Sequence, residues 1–156
     1  MSELKIDWQW KSFEQLSGDE VAAMFQLRQG VFIIEQDCPY PDIDGKDPEA
    51  IHLLGWVDGQ LVATLRLFPR FEAYHGHCSV GRVCTHGDFR RYGVGRELMS
   101  VAMGYIDQHY PQQQTQIGAQ IYLKRFYESY GFRQCSESYD EDGIEHIHML
   151  RDAHSN

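Results

Sequence analysis

The spacing of hydrophobic positions predicts a helix early in the chain. Ser17 and Glu20 form the S-x-x-E pattern of a capping box, which marks a helix N-terminus. The apolar stripe that follows consists of Val21, Met24 and Phe25. Arg28 falls on the same stripe. A short second helix is expected over residues 30–35.

Alternating hydrophobic residues predict a β-hairpin over residues 52–68. Asp58-Gly59 is the expected turn, because a type I′ turn requires positive φ angles. After this turn, the residues that alternate onto one face are Leu61, Ala63, Leu65 and Leu67. Residues 79–86 predict a further strand, which is followed by a loop.

The second half of the chain alternates between helical and strand patterns. In chain order, the expected elements are a helix over 94–109, a strand over 116–119, a helix over 121–130 and two strands over 132–139 and 144–151. Pro111 and Gly131 lie just beyond the two helices, where helices stop. Asp142-Gly143 is the turn signal between the last two strands. The order β α α β β β α β α β β predicts an α/β fold built on a mixed α+β sheet.

Composition restricts the class of protein. The 156 residues fit a single domain over 1–156, and a hydrophobic fraction of 42% is enough for a core. No apolar stretch reaches the ~20 residues of a membrane span, and the N-terminus lacks the apolar region of a signal peptide. With 23 acidic and 14 basic residues, the net charge of −9 argues against nucleic-acid binding. We therefore expect a cytoplasmic protein that binds neither nucleic acid nor membrane.

The four cysteines are expected to be reduced thiols. None of their spacings is C-x-x-C, so neither a zinc site nor a redox motif is indicated, and no metal is expected. Cys84 lies inside a strand pattern, which favours a small buried hydrophobic residue. Cys38 lies beside Pro39 in an expected loop, so it is the thiol most open to a separate role.

A basic segment from Arg82 to Arg96 carries the strongest chemical signal. It reads RVCTHGDFRRYGVGR and contains four arginines and one acid in an acidic chain. Gly93 and Gly95 stand at the predicted helix start, where unpaired N–H groups and the positive end of the helix dipole favour phosphate. The segment matches neither a Walker A loop nor a Rossmann fingerprint. From these residues alone, a phosphate loop and a solvated loop of glycines and arginines both stay open.

A strand followed by R-x-x-G-x-G and a helix resembles the acyl-coenzyme A loop of the GNAT acyltransferase superfamily. Residues 126–132, FYESYGF, resemble the F-Y-x-x-x-G-F end of a later helix in that superfamily. Further segments are similar to its bacterial ElaA-like branch, namely 31–40, 42–45, 118–120 and 141–146.

The resemblance implies a central, mostly antiparallel sheet of about seven strands flanked by about four helices. It also implies acyl transfer, most often of acetyl, from acyl-coenzyme A to a primary amine by direct attack in a ternary complex. Acetyl-coenzyme A is then a co-substrate, and the partner is a small-molecule or peptide amine. A homodimer stays open.

The resemblance also implies how the cofactor is held. The strand at Val83 to Thr85 would bind the pantetheine arm through its backbone, and the amides from Arg91 to Arg96 would bind the pyrophosphate. Gln120 departs from the family pattern, since many members carry Asn there. The full implied set is Val83, Cys84, Thr85, Arg90, Arg91, Tyr92, Gly93, Val94, Gly95, Arg96, Gln120 and Tyr127.

Tyr127 is the implied general acid. A phenol with a pKa of ~10 can supply a proton to a thiolate leaving group, whose pKa is ~8.5. The spacing of the residues supports an alternative, because Tyr127 also lies on an ordinary core stripe. The other members of this stripe are Leu123, Phe126 and Tyr130.

The general base stays open among several groups. His146 and His148 are two apart on an expected strand, so they face the same side, and imidazole suits proton transfer near neutral pH. A metal site formed by these two histidines would lack a third ligand. Glu35, His52 and His86 are further candidates, although a satisfied structural side chain is the reading favoured for each of them. An ordered water is another candidate.

The segment 35–49 contains six acidic residues against a single lysine. It is expected to be either a solvated loop or a source of negative potential that attracts a cationic amine. Two other functions stay open for the whole chain. One is a coenzyme A sensor or interaction module without catalysis, and the other is a small anion-binding domain.

Overall fold

A computed structural model describes residues 4–154 of the chain. The strands are β1 (Asp7–Ser12), β2 (Ile51–Val57), β3 (Gln60–Phe71), β4 (His77–Thr85), β5 (Thr115–Gln120), β6 (Phe132–Gln134), β7 (Tyr139–Glu141) and β8 (Ile144–Arg151). The helices are α1 (Gly18–Arg28), a π-helix (Gln29–Glu35), α2 (Val94–His109) and α3 (Lys124–Glu128). Short 3₁₀ turns occupy Phe13–Gln15, Asp47–Glu49, Glu72–Tyr74, Gly87–Tyr92 and Ile121–Leu123.

The strands form a mostly antiparallel sheet in the order β1-β2-β3-β4-β5-β8-β6, and β7 also pairs with β8. The pairing of β4 with β5 is parallel and places Cys78 opposite Thr115. The pairs that β8 makes with β5, β6 and β7 are all antiparallel. The predicted mixed α/β fold is therefore confirmed, and the sheet formed by residues 4–154 has eight strands.

The residue contacts divide the chain into two compact units. The first unit runs through Leu67 and resumes over Arg82–Leu98, and the second contains Phe68–Gly81 and the chain from Met99 onward. The core of the first unit is a cluster of Met24, Leu27, Val31, Leu54, Leu61 and Cys84. Fully buried side chains of the second unit include Met99, Ile106, Ile147 and Met149. A single domain over residues 1–156 stays a prediction.

Local sequence signals account for the best-predicted elements. The hydroxyl of Ser17 accepts the N–H of Glu20 at 3.1 Å, and the Glu20 carboxylate accepts the N–H of Ser17 at 2.8 Å. Asp58 and Gly59 have φ angles of 48° and 79°, as a type I′ turn requires. The predicted bounds of α2 are confirmed. None of the helices in residues 4–154 is both long enough and apolar enough to cross a membrane.

Two predictions were wrong about the length of an element. The helix expected over 121–130 begins as a 3₁₀ turn and is α-helical only at Lys124–Glu128. The strand expected over 132–139 is divided into β6 and β7. The division occurs because the hydroxyl of Ser136 accepts the N–H of His148 at 2.9 Å, so a side chain takes the place of a backbone partner.

Candidate functional site

In the first unit, the predicted phosphate loop is an exposed helix start. A 3₁₀ turn over Gly87–Tyr92 follows β4, and Gly93 then adopts a left-handed conformation with a φ of 73°. This φ favours glycine, and it lets α2 begin at the next residue. The side chain of Val94 is fully buried and anchors the helix, whereas residues 91–93 are exposed. The start of α2 is therefore flanked by the exposed residues 91–93 on one side and by the exposed Arg96 on the other.

Arg90 links this loop to the π-helix. Its guanidinium donates two hydrogen bonds to the Glu35 carboxylate, of which the bond from Nη2 is 2.9 Å, and one to the carbonyl of Thr85 at 3.1 Å. The hydrogen bond from Arg90 holds the pKa of Glu35 below its ordinary value, against the opposing effect of burial. A carboxylate held in this way is a weak base, so the geometry favours a positioning role for Glu35 over the predicted catalytic one.

A cavity of about 600 Å³ lies within the first unit beside this ion pair. Its walls come from α1, the π-helix, the hairpin turn after β2 and the chain after β4. Leu27, Val31 and Leu61 form an apolar floor, and Glu35 and His86 are polar groups in the lining. The cavity is therefore next to the loop, because Glu35 lines the cavity and also binds Arg90.

Further along β4, Arg82 has a positive φ of 51°, an uncommon conformation for a residue with a side chain. Its guanidinium lies 2.7 Å from Asp42 and 3.4 Å from Asp44. Both aspartates also pair with other arginines, and together six residues form a closed set of alternating charges, named here the Arg–Asp ring. In order around the ring, its members are Arg28, Asp42, Arg82, Asp44, Arg66 and Asp47.

The Arg–Asp ring corrects the expectations for three of the six acidic residues of the segment, whereas Glu35, Asp37 and Glu49 are exposed, as a solvated loop predicts. Asp42 and Asp47 are 6% and 2% exposed, so they are neither solvated nor available to attract a cation. Burial alone would raise the pKa of Asp44, but the hydrogen bonds from Arg66 and from the N–H of Lys46 outweigh it and lower the pKa. Cys38 is also buried, and the exposed thiol is Cys135 instead. The burial predicted for Cys84 is confirmed.

Two of the histidines proposed as bases have structural partners in the first unit. His52 is fully buried, and its Nε2 donates to the carbonyl of Asp47 at 2.9 Å. Burial lowers the pKa of this imidazole below its ordinary value. Nδ1 of His86 accepts the N–H of Asp88 at 3.1 Å and caps the 3₁₀ turn that begins the loop. His86 therefore holds the start of the loop, and His52 holds the 3₁₀ turn at Asp47–Glu49.

In the second unit, Tyr127 lies on α3 and is 7% exposed. Its ring meets Phe126 and Phe132 edge-on, with centroid distances of 5.2 and 6.0 Å. Burial raises the pKa of the Tyr127 phenol above its ordinary value, so the hydroxyl keeps its proton at neutral pH. The side chain is thus both part of the core and a protonated donor, and the two predicted readings are compatible.

His146 and His148 share one face of β8, as their spacing predicts. The ring of Tyr139 stacks on both imidazoles, at 5.9 Å from His146 and 4.9 Å from His148. Nδ1 of His146 lies 2.8 Å from the carbonyl of Ile144, and since a carbonyl can only accept, Nδ1 carries a hydrogen. Nε2 lies 3.4 Å from a carboxylate oxygen of Glu141, which would stabilise the imidazolium formed when this nitrogen takes up a proton.

Sequence reasoning missed two tyrosines of this histidine face. Tyr74 meets His148 edge-on at 5.3 Å, and Tyr139 lies between the two histidines. Tyr74 is at the end of a 3₁₀ turn and Tyr139 begins a three-residue strand. Tyr74 lies in no predicted element and Tyr139 only ends a predicted strand, so the sequence does not show that strand pairing brings Tyr139 opposite His146. Gln120 lies opposite His146 in the register of β5 and β8.

Comparisons of the sequence and of the fold with known proteins all find acyltransferase-like relatives or the relatives of one family. Residues 19–152 match the family described as acetyltransferase (GNAT) domain. The chain is 40% identical to protein ElaA of Escherichia coli K12 over 149 residues, which cover 94% of this chain and 97% of ElaA. The crystal structure of E. coli ElaA has a TM-score of 0.88 with this fold and 39% identity, covering 95% of this chain and 100% of that one. An acyl-CoA N-acyltransferase from Pseudomonas aeruginosa has a TM-score of 0.89 and 38% identity, covering 94% and 99%.

Proposed function

Because the chain belongs to the GNAT acetyltransferase family, we propose that it is an enzyme that moves an acyl group from acyl-coenzyme A to the nitrogen of a primary amine. Acetyl is the acyl group proposed, and the cytoplasm, where the thiols stay reduced, is the proposed compartment. The observation that carries the proposal is the exposed turn over residues 91–93 between β4 and the start of α2, with Gly93 in the left-handed conformation.

The described residues fit the coenzyme in this loop. Residues 91–93 are exposed, and glycine at 93 and 95 leaves the backbone open to a phosphate. The N–H groups from Arg91 to Arg96 would hold the pyrophosphate, and the backbone from Val83 to Thr85 would hold the pantetheine arm. Bound acetyl-coenzyme A would supply an activated acyl group and a thiolate leaving group.

Two side chains of the second unit are proposed to move the protons. A protonated amine must lose two protons as the C–N bond forms and the C–S bond breaks. Nε2 of His146, or an ordered water, takes the first proton before attack. Tyr127 gives its proton to the leaving sulfur and is restored by the second proton of the amine. One proton is released per turnover, and Tyr127 is protonated at neutral pH, as a proton donor must be, because burial raises its pKa further above 7.

The direct test is the release of free thiol from acetyl-coenzyme A in the presence of polyamines, aminoglycosides, amino acids and peptides. We expect release with one class of amine, together with a product that carries one added acetyl group. Mixtures without an amine measure background hydrolysis.

Two outcomes would replace the proposal with a named alternative. Binding of coenzyme A without turnover of any amine favours a sensor or interaction module. Equal thermal stabilisation by coenzyme A, inorganic phosphate and ATP favours a general anion-binding domain.

A further inference from the structure

Arg82 has a backbone conformation that its position inside a strand does not explain. Among residues 4–154, five residues other than glycine have a positive φ, and four of them lie in turns. Arg82 is the exception, because it lies inside β4 with a φ of 51°. The ordinary φ of a strand is about −120°, and residues with a side chain disfavour the left-handed region. Such a conformation persists only where the surrounding structure holds it.

The side chain of Arg82 is firmly held by its surroundings. Its guanidinium lies 2.7 Å from Oδ1 of Asp42 and donates to the carbonyl of the same residue at 3.1 Å. A longer contact of 3.4 Å reaches Oδ2 of Asp44, and the ring of Tyr40 lies 5.4 Å from the guanidinium carbon. All three partners belong to the segment between the π-helix and β2, which the other two arginines of the Arg–Asp ring fix in turn.

Stability alone is a weak explanation for the Arg–Asp ring. Taking charges out of water has a desolvation penalty that their mutual attraction often only offsets. Where such charges are retained in a protein, they can instead fix one conformation. In this ring, the member with an uncommon backbone conformation is Arg82.

The φ of Arg82 determines where the next peptide groups of β4 point. Rotation about φ turns every atom that follows, and the observed φ differs from the ordinary strand value by more than about 150°. The residues that follow directly are Val83 to Thr85, whose backbone is proposed to hold the pantetheine arm. Local irregularities of a strand redirect its groups and are frequent beside active sites.

We propose that Arg82 is a positioning residue: the Arg–Asp ring holds its backbone in the left-handed conformation, and this conformation aims the peptide groups of Val83 to Thr85 at the pantetheine arm. The inference rests on the proposed function and deepens it by naming what fixes the strand that holds the coenzyme. Arg82 needs no contact with the coenzyme in this role. Its charge is engaged by Asp42 and Asp44, so its effect passes through the backbone.

Two substitutions separate the backbone of residue 82 from its side chain. Arg82→Ala and Arg82→Gly remove the same charge and leave Asp42 and Asp44 one ring arginine each, but only glycine enters the left-handed region without a steric penalty. In Arg82→Ala the binding-competent backbone is populated in about a tenth of the molecules, so the Kd for coenzyme A should rise about tenfold. In Arg82→Gly the Kd should stay within about twofold of the wild type.

Arg66→Ala is the control for damage to the Arg–Asp ring. Arg66 pairs with Asp44 and Asp47, so its loss opens the ring while the contact between Arg82 and Asp42 stays. The free energy of unfolding should fall in this variant, and the Kd for coenzyme A should not change.

Two further measurements keep the test decisive. If Arg82→Ala does not fold, Arg82→Asn takes its place, because asparagine enters the left-handed region more readily than alanine but less readily than glycine. Its Kd should then exceed that of Arg82→Gly. The amide NMR signals of Cys84 and Thr85, recorded without coenzyme A, should stay near their wild-type positions in Arg82→Gly and move in Arg82→Ala.

Equal Kd values for Arg82→Ala and Arg82→Gly, or an equal rise in Arg66→Ala, would overturn the inference. In turnover, Arg82→Ala should raise KM for acetyl-coenzyme A and leave kcat unchanged, whereas a purely structural role would lower stability and move neither constant. If coenzyme A binds but no amine is acetylated, the proposed function fails and the Kd comparison still decides the role of Arg82. A wild-type protein that does not bind coenzyme A would overturn both.

Discussion

Nη1 of Arg28 lies 2.6 Å from Oδ1 of Asp47, and the two side chains are 1% and 3% exposed. This buried pair belongs to the Arg–Asp ring, so removing one charge leaves another without compensation. We predict that Asp47→Asn lowers the free energy of unfolding by about 3–5 kcal/mol. The exposed pair of Arg70 and Glu72 offers a control, since Glu72→Gln should change it by less than ~1 kcal/mol. Urea denaturation of both variants measures the difference, and similar values for the two would contradict a structural role for the ring.

The lowered pKa values of Asp44 and Asp47 predict how the free energy of unfolding changes with pH. Burial raises the pKa of each carboxylate, but hydrogen bonds and charges from the ring arginines outweigh it, and both pKa values are lowered in the folded state. A lowered pKa contributes stability above the unfolded-state pKa of about 3.9, and this contribution is lost as pH falls below that value. We expect the unfolding free energy to fall below pH ~4.

Denaturation curves at several pH values check this expectation. In Asp44→Asn one of the titrating groups is absent, so its stability should depend less steeply on pH than that of the wild type. The same steepness in both proteins would show that other carboxylates dominate acid unfolding.

Gly95→Glu tests the phosphate loop. A carboxylate in the first turn of α2 would repel the pyrophosphate and cover the backbone, so the Kd for coenzyme A should rise by more than about tenfold. Gly104→Glu makes the same charge change on the same helix away from its start, and it should leave the Kd unchanged. Titration calorimetry measures the Kd for coenzyme A of both folded variants. Equal Kd values for Gly95→Glu and Gly104→Glu would show that the loop does not bind the cofactor.

Tyr127→Phe separates catalysis from packing. The ring is kept, so the contacts with Phe126 and Phe132 and the affinity for coenzyme A should survive. Loss of the proton donor should lower kcat by about 10²–10⁴-fold. Tyr105→Phe is the control for removal of a hydroxyl elsewhere. Steady-state kinetics with one accepted amine provide the measurement, and a kcat equal to that of the wild type would leave Tyr127 as a core residue only.

Glu35→Gln distinguishes a base from a positioning residue. If Glu35 orients Arg90, the variant should raise KM for acetyl-coenzyme A while kcat and its pH profile stay close to those of the wild type. If Glu35 is the base, kcat falls and the acidic limb of the pH profile disappears. A kinetic pH profile for both proteins separates the two roles.

Elements with local signals could be predicted from the sequence, and the groups brought together by distant segments could not. The capping box of α1, the hairpin turn at Asp58-Gly59 and the bounds of α2 depend on residues close in the chain. Arg28 was noticed on an apolar stripe, but its partners lie 14 and 19 residues away on another segment. No periodicity contains that information, so the sequence does not predict that three aspartates of the acidic segment pair with arginines in a mostly buried ring.

The same contrast holds for the candidate site. The shared face of His146 and His148 follows from spacing alone, whereas the cofactor role proposed for residues 90–96 also depends on the family resemblance. Tyr74 contacts His148 only because the fold brings together two residues that are separated by 74 positions in the chain. The role of Glu35 also depended on a distant partner, since Arg90 lies 55 residues away.

The Arg–Asp ring also constrains how this sequence can change over evolutionary time. Each of its six members faces two opposite charges, so every single exchange strands a charge in the interior and reduces fitness through lost stability. Simultaneous replacement of an adjacent arginine and aspartate by apolar residues keeps the interior neutral, and it is the less costly change. The six positions are therefore expected to covary as a set among descendants of this chain, retained together or exchanged in pairs.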